Sequence, residues 1–148
     1  MLNKYFIKLN KYRNFENDEN ISKFEEVLGD IAALKDPNSI PKLVNYFDDK
    51  SEYPDVIFGI VHLIEEFDDH TYLQKLLPSM PLLTQKSPYW AKVLHYRIMN
   101  SPSTLDEYLK VSGSLPEGTR QALKKLLIDI KHEDKEFDTY CNNLIAKL

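Results

Sequence analysis

Residues 53–69 read YPDVIFGIVHLIEEFDD, residues 76–83 read LLPSMPLL, and residues 87–102 read SPYWAKVLHYRIMNSP. Each long piece opens on a proline and continues as an apolar segment, and the two follow one another at roughly 33 residues, within the range of helical repeat units. The aligned pieces are Ile60-Val61-His62 and Val93-Leu94-His95. From Asp55 to Phe67 the segment is apolar nearly all round, through Val56, Ile57, Ile60, Val61, Leu63, Ile64 and Phe67. A helix without a wide polar face is buried on several sides, so this one is expected at the centre of the domain. Gly59 within it lowers helix propensity, which suggests close approach of a neighbouring helix.

Outward from this centre, proline and glycine mark the boundaries. Toward the N-terminus, Leu2, Tyr5, Phe6 and Leu9 recur at helical spacing. The polar run Asn14 to Asn20 reads as a loop. Ile21, Phe24, Val27, Leu28, Ile31 and Leu34 form a second apolar stripe that stops before Asp36-Pro37. Asn38 or Ser39 is expected to cap a helix carrying Leu43, Val44 and Phe47, with Pro41 in its first turn. Lys50 to Asp55 is expected to turn.

Toward the C-terminus, a short helix is expected from His70 to Leu77, ended by Pro78 and Pro81 in an irregular link. Ser87 is a candidate cap for a helix starting at Pro88, with Trp90, Val93, Leu94 and Ile98 inward and Asn100 closing it. Ser103 to Ser112 reads as a further short helix. Ser114 and Glu117 have the spacing of a capping box before Ala122, Leu123, Leu126, Leu127 and Ile130. A last helix carries Phe137, Tyr140, Cys141, Leu144, Ile145 and Leu148. The pattern predicts an all-α fold, one domain over residues 1–148, built as a stack of antiparallel helix pairs in the manner of HEAT repeats.

A chain of 148 residues can bury a core without metal or disulfide support, and 43% hydrophobic residues argue against disorder. Only four glycines are present, fewer than hairpins would ask for. The apolar run Val56 to Ile64 is too short to cross a bilayer, and residues 1–20 lack the pattern of a secretory signal. The lone Cys141 fits a reducing compartment, so a cytoplasmic protein is expected, monomeric when free.

The net charge of −4 hides an uneven distribution: +4 over residues 1–15, −11 over 16–69 and +3 over 70–148. Such an acidic block repels nucleic-acid phosphates and attracts basic protein surfaces. The acids gather in 48–55 and 65–69, near expected helix ends.

Little in the chain points to catalysis. His62, Glu65 and Glu66 lie at i, i+3 and i+4, a helical metal-ligand spacing, but no facing segment supplies a matching Glu-x-x-His. His95 lies near Trp90, Tyr96 and Arg97, an arrangement that could stack a base, although Trp90 belongs to the apolar stripe. Cys141 sits on an apolar helix face, where cysteines are inert. Lys124, Lys125 and Lys131 are interspersed with Asp129 and Glu133, as on ordinary surface. No glycine-rich phosphate loop, nucleophile elbow or Cys-x-x-Cys occurs. No catalytic residue, metal or cofactor is assigned, and a binding role is expected.

The segments IPKLVNYF, YPDVIFGIVHLIEEFDD, YLQKLLPSMP and SPYWAKVLHYRIMNS resemble the bacterial immunity protein 30 family, small cytoplasmic partners of secreted or contact-delivered polymorphic toxins. The resemblance implies an all-helical protein that binds the C-terminal domain of one cognate toxin and blocks it, without catalysis. An acidic helical surface suits a toxin cleft that is basic. The expected contact residues are Asp48, Asp49, Glu52, Asp55, Glu65, Glu66, Asp68 and Asp69, with Tyr46, Tyr53 and Tyr72 as aromatic anchors. The residues alone also admit a helical adaptor for another protein, or a metal-dependent hydrolase.

Overall fold

A computed structural model describes residues 1–148, which form ten α-helices and no strand. The helices are α1 Leu2–Tyr12, α2 Asp18–Leu34, α3 Ser39–Leu43, α4 Pro54–Glu65, α5 Asp69–Leu76, α6 Met80–Lys86, α7 Pro88–Met99, α8 Pro102–Val111, α9 Glu117–Glu133 and α10 Asp138–Lys147. Pro54, Pro81, Pro88 and Pro102 all stand in a first helical turn, where the missing N–H has no intrahelical partner to lose. Short 3-10 turns lie just beyond the C-terminal ends of α3, α5, α8 and α9.

α4 packs on α2 and α5. It buries Val56, Ile57, Ile60, Val61, Leu63 and Ile64. Burial of each such side chain contributes about 1.5–3 kcal/mol as an upper bound. α2 packs on α1 and α4, α5 on α3 and α8, α6 on α7 and α9, and α10 on α9 and α8. Several side-chain hydrogen bonds tie these helices across long stretches of sequence. Arg13–Asn45 and Glu65–Arg97 span 32 residues, Asp69–Thr104 spans 35, Ser87–Phe47 spans 40 and Lys92–Glu133 spans 41.

Several local expectations are corrected. α2 begins inside the expected 14–20 loop, because the Asn17 side chain accepts the N–H of Asn20 at 2.8 Å. The expected caps at Asn38 and Ser39 are absent. Asp36 makes the turn instead, its carboxylate accepting the N–H of Asn38 at 2.9 Å. α4 stops at Glu65, two residues short of Phe67, because Asp68 caps a new helix at once. Pro81 does not end structure; it opens α6, a helix the sequence reading missed. The Ser114–Glu117 box does not form, since Pro116 occupies the N-cap and the Ser114 hydroxyl donates back to the Val111 carbonyl.

Gly59 is also corrected. A Cβ there would meet only the Leu28 side chain, at 3.7 Å, which is ordinary contact. No neighbouring backbone demands a glycine at this position.

Candidate partner-binding surface

The acids expected to form one surface lie in two groups at opposite ends of α4. From Asp55 in the first turn of α4 to Glu65 at its end the helix rises roughly 15 Å at about 1.5 Å per residue. The N-terminal group is the loop before α4, with Asp48, Asp49 and Glu52, and the first turn of α4, with Asp55. The C-terminal group is the α4–α5 corner, with Glu65, Glu66, Asp68 and Asp69.

In the N-terminal group, Asp48, Glu52 and Asp55 are exposed and make no ion pair. Asp49 has structural work. Its carboxylate accepts the N–H of Tyr89 at 2.9 Å and of Trp90 at 3.2 Å, capping α7 from a distant loop. Ser87, expected to supply that cap, instead donates its hydroxyl to the Phe47 carbonyl at 2.7 Å. Asp49 is thus less free than the sequence reading assumed.

This loop borders an open cleft of about 500 Å³, with Arg13, Phe15, Tyr46, Asp48, Glu52 and Tyr53 among its walls. Phe15 is held at φ 52°, a left-handed conformation unfavourable for a bulky side chain. Edge-on packing against Phe24 at 4.9 Å and Tyr53 at 5.8 Å offsets that strain.

The three tyrosines fare differently. Tyr53 is 39% exposed and can serve as a surface aromatic. Tyr46 is 7% exposed; Arg13 lies over its ring and its hydroxyl bonds Asn10. Burial raises the Tyr46 phenol pKa, against a lowering by Arg13. Tyr72 is 3% exposed. Neither Tyr46 nor Tyr72 can be the projecting anchor that the sequence reading placed there, because the inward faces of their segments carry them into the core.

At the α4–α5 corner, Glu65 forms a two-pronged pair with Arg97 of α7, both bonds 2.7 Å. That hydrogen bonding raises the Arg97 pKa. Asp68 accepts from the hydroxyl and the N–H of Thr71, which holds its carboxyl below the ordinary value. Asp69 accepts from the Thr104 hydroxyl at 2.8 Å. Glu66 is exposed and without an ion pair.

The corner lies between two clefts. One of about 310 Å³ is walled by Lys35, Glu66, Phe67 and Asp68. The other, about 460 Å³, is walled by Glu65, Asp69, Tyr72, Arg97, Asn100, Ser101 and Thr104. Sequence reasoning missed Arg97, Ser101 and Thr104 as neighbours of the acids. The Glu65–Arg97 and Asp69–Thr104 bonds bring the α7–α8 junction beside the α4–α5 junction.

The other candidates settle into packing. No group of three His, Cys, Asp or Glu side chains comes together in metal-holding geometry, and exposed His62 stacks against Phe58. His95 is fully buried between the Ala91 carbonyl at 3.1 Å and the Tyr108 hydroxyl at 2.8 Å. Burial lowers its pKa to about 4, so it is neutral near pH 7. Trp90 is buried against Phe47 and Phe58, which leaves no face for a base. Cys141 is buried beside Met99, and burial pushes its thiol up to about 11, away from the reactive thiolate. No helix is long and apolar enough to cross a membrane.

A family model described as immunity protein 30 matches residues 11–108, from the end of α1 through most of α8. No curated protein and no solved structure matches the chain. The matched span holds both ends of α4 and both corner clefts, and it leaves α9 and α10 outside.

Proposed function

Because the chain belongs to the immunity protein 30 family, we propose that it neutralises a cognate bacterial toxin domain by binding it, with the α4–α5 corner as the centre of contact. It acts in the cytoplasm, as a monomer before it meets the toxin, and transforms no substrate. The observation that carries the placement is the concentration of Glu65, Glu66, Asp68 and Asp69 within five residues, at a corner flanked by two clefts. A rigid negative surface suits the basic cleft of a toxin that handles phosphates; opposite charge speeds encounter and selects the partner. Asp48, Glu52, Asp55 and Tyr53, at the far end of α4, extend the field and offer one exposed aromatic.

The test is co-expression with the toxin domain encoded beside this protein. Growth should be restored, and the two chains should purify together. Persistent poisoning of cells that hold an excess of this protein would end the proposal. Stable capture of an unrelated protein by the same corner, with no effect on the toxin, would favour a helical adaptor.

A further inference from the structure

Within residues 11–108, the span that the family model matches, the exposed large apolar side chains are Tyr53, Leu82 and Tyr89. All of them border one loop, the chain from Phe47 to Tyr53 that leads into α4. Tyr53 ends it. Leu82, 45% exposed, shares a shallow recess with Asn45 and Phe47. Tyr89, 56% exposed, has its N–H on the Asp49 carboxylate at 2.9 Å. Its ring stands edge-on to Trp90, with centroids 5.3 Å apart. Trp90 is clamped in turn, by its indole bond to the Asp48 carbonyl and by packing on Phe47 and Phe58. The tyrosine is thus held in place while more than half of it faces solvent. Exposed apolar side chains are ordinary when scattered; gathered around a rigid loop they mark a contact surface.

We propose that this loop end is the apolar anchor site for the cognate toxin domain, with Tyr89 as its principal anchor. The inference rests on the toxin-binding reading above and divides the work: the α4–α5 corner steers the partner, and the loop end holds it. One partner can reach both. Asp55 and Glu66 are three helical turns apart on one side of α4. An interface of ordinary size, about 800 Å² per partner, is roughly 30 Å across. A rigid tyrosine loses little freedom on binding, and aromatic side chains are enriched among the residues that dominate affinity. The chemistry around it selects the occupant. Asp48, Asp49, Glu52 and Asp55 outnumber Lys50 in this part of the chain, so the phosphates of lipid or nucleic acid are repelled. A second copy docking by the same patch would set acids against acids. A toxin surface with an apolar projection ringed by basic side chains meets both the tyrosine and the acids.

The test measures association and dissociation separately, with the toxin domain encoded by the adjacent gene. Tyr89→Ala should speed dissociation about tenfold or more and leave association within about twofold. Leu82→Ala should speed dissociation less, and Tyr89→Phe should stay near wild type. Tyr140→Ala, at an exposed tyrosine outside the matched span, should change neither rate. Urea unfolding of each variant separates a lost contact from a damaged fold. Should Tyr89→Ala prove unstable, Leu82→Lys puts a charge at an exposed site of the patch and should speed dissociation in its place. Unchanged dissociation in stable Tyr89→Ala and Leu82→Lys proteins, or equal acceleration by Tyr140→Ala, overturns the anchor and leaves toxin binding standing. Self-association of the free protein, lost in Tyr89→Ala, would assign the patch to a second copy and overturn it as well. A wild-type protein that binds no toxin removes both readings.

Discussion

The Asp49 carboxylate accepts the backbone N–H of Trp90 at 3.2 Å across 41 residues of sequence. The same carboxylate takes the N–H of Tyr89, and the Trp90 indole N–H donates to the Asp48 carbonyl at 3.2 Å. The start of α7 is thereby fastened to the loop after α3, and the wall of the N-terminal cleft is held against the core. Removal of a side-chain cap costs about 1 kcal/mol, with a range of roughly 0.5–2. Asp49→Ala should lose that amount in urea unfolding, and Asp49→Asn should lose less because it retains one acceptor. An Asp49→Ala protein as stable as wild type would make this residue a free surface acid after all.

Gly59 gives a prediction of opposite sign. It sits in the middle of α4 at negative φ, and a methyl group there would touch only Leu28 at 3.7 Å. Alanine is favoured over glycine in a helix interior by roughly 0.5–1 kcal/mol. Gly59→Ala should therefore raise the urea midpoint at unchanged slope. A fall in the midpoint would show that α2 and α4 lie too close to admit the methyl group.

His95 makes stability depend on pH. Its folded pKa is about 4, depressed from 6.5 by burial. The unfolded chain therefore binds the extra proton between those values, and stability is lost as pH falls from 6.5 toward 4. For a depression of that size the loss between pH 7 and pH 5 is about 2 kcal/mol. Urea unfolding at the two pH values should show it. His95→Gln, whose side chain does not titrate, should show a smaller difference. Equal differences in the two proteins would mean that the acid sensitivity arises elsewhere.

Features set by local chemistry were legible in the sequence. Pro54 and Pro88 mark the starts of α4 and α7, and the apolar residues from Val56 to Ile64 mark a helix that buries six side chains. What the sequence did not reveal depends on residues far apart. Asp49 reads as one more acid until α7 is brought to it. Tyr72 reads as an aromatic beside acids, because nothing local says that α8 will cover it. Pro81 is ambiguous by nature: the ring that forbids a helix interior is suited to a first turn, and only the packing of α6 on α7 and α9 selects the second use. The two acidic runs looked like one surface because sequence distance does not register that a straight helix holds them apart.

That separation makes the partner surface divisible by experiment, provided the variants spare acids with internal duties. Asp68 caps α5, Asp49 caps α7 and Glu65 holds Arg97, so reversing their charge would disturb the fold along with the surface. Glu66 at the corner and Glu52 at the far end are both exposed and free of ion pairs. Each can be changed to lysine with little effect on stability. With the α4–α5 corner at the centre of contact, Glu66→Lys should slow association with the toxin domain by roughly 3–10-fold at low salt. Glu52→Lys, farther from the interface, should slow it less, and the gap should close as salt screens the field. Stopped-flow association at two ionic strengths reads both variants directly. A larger effect from Glu52→Lys would move the contact to the Tyr53 end of α4, and equal, small effects would remove electrostatic steering from the mechanism.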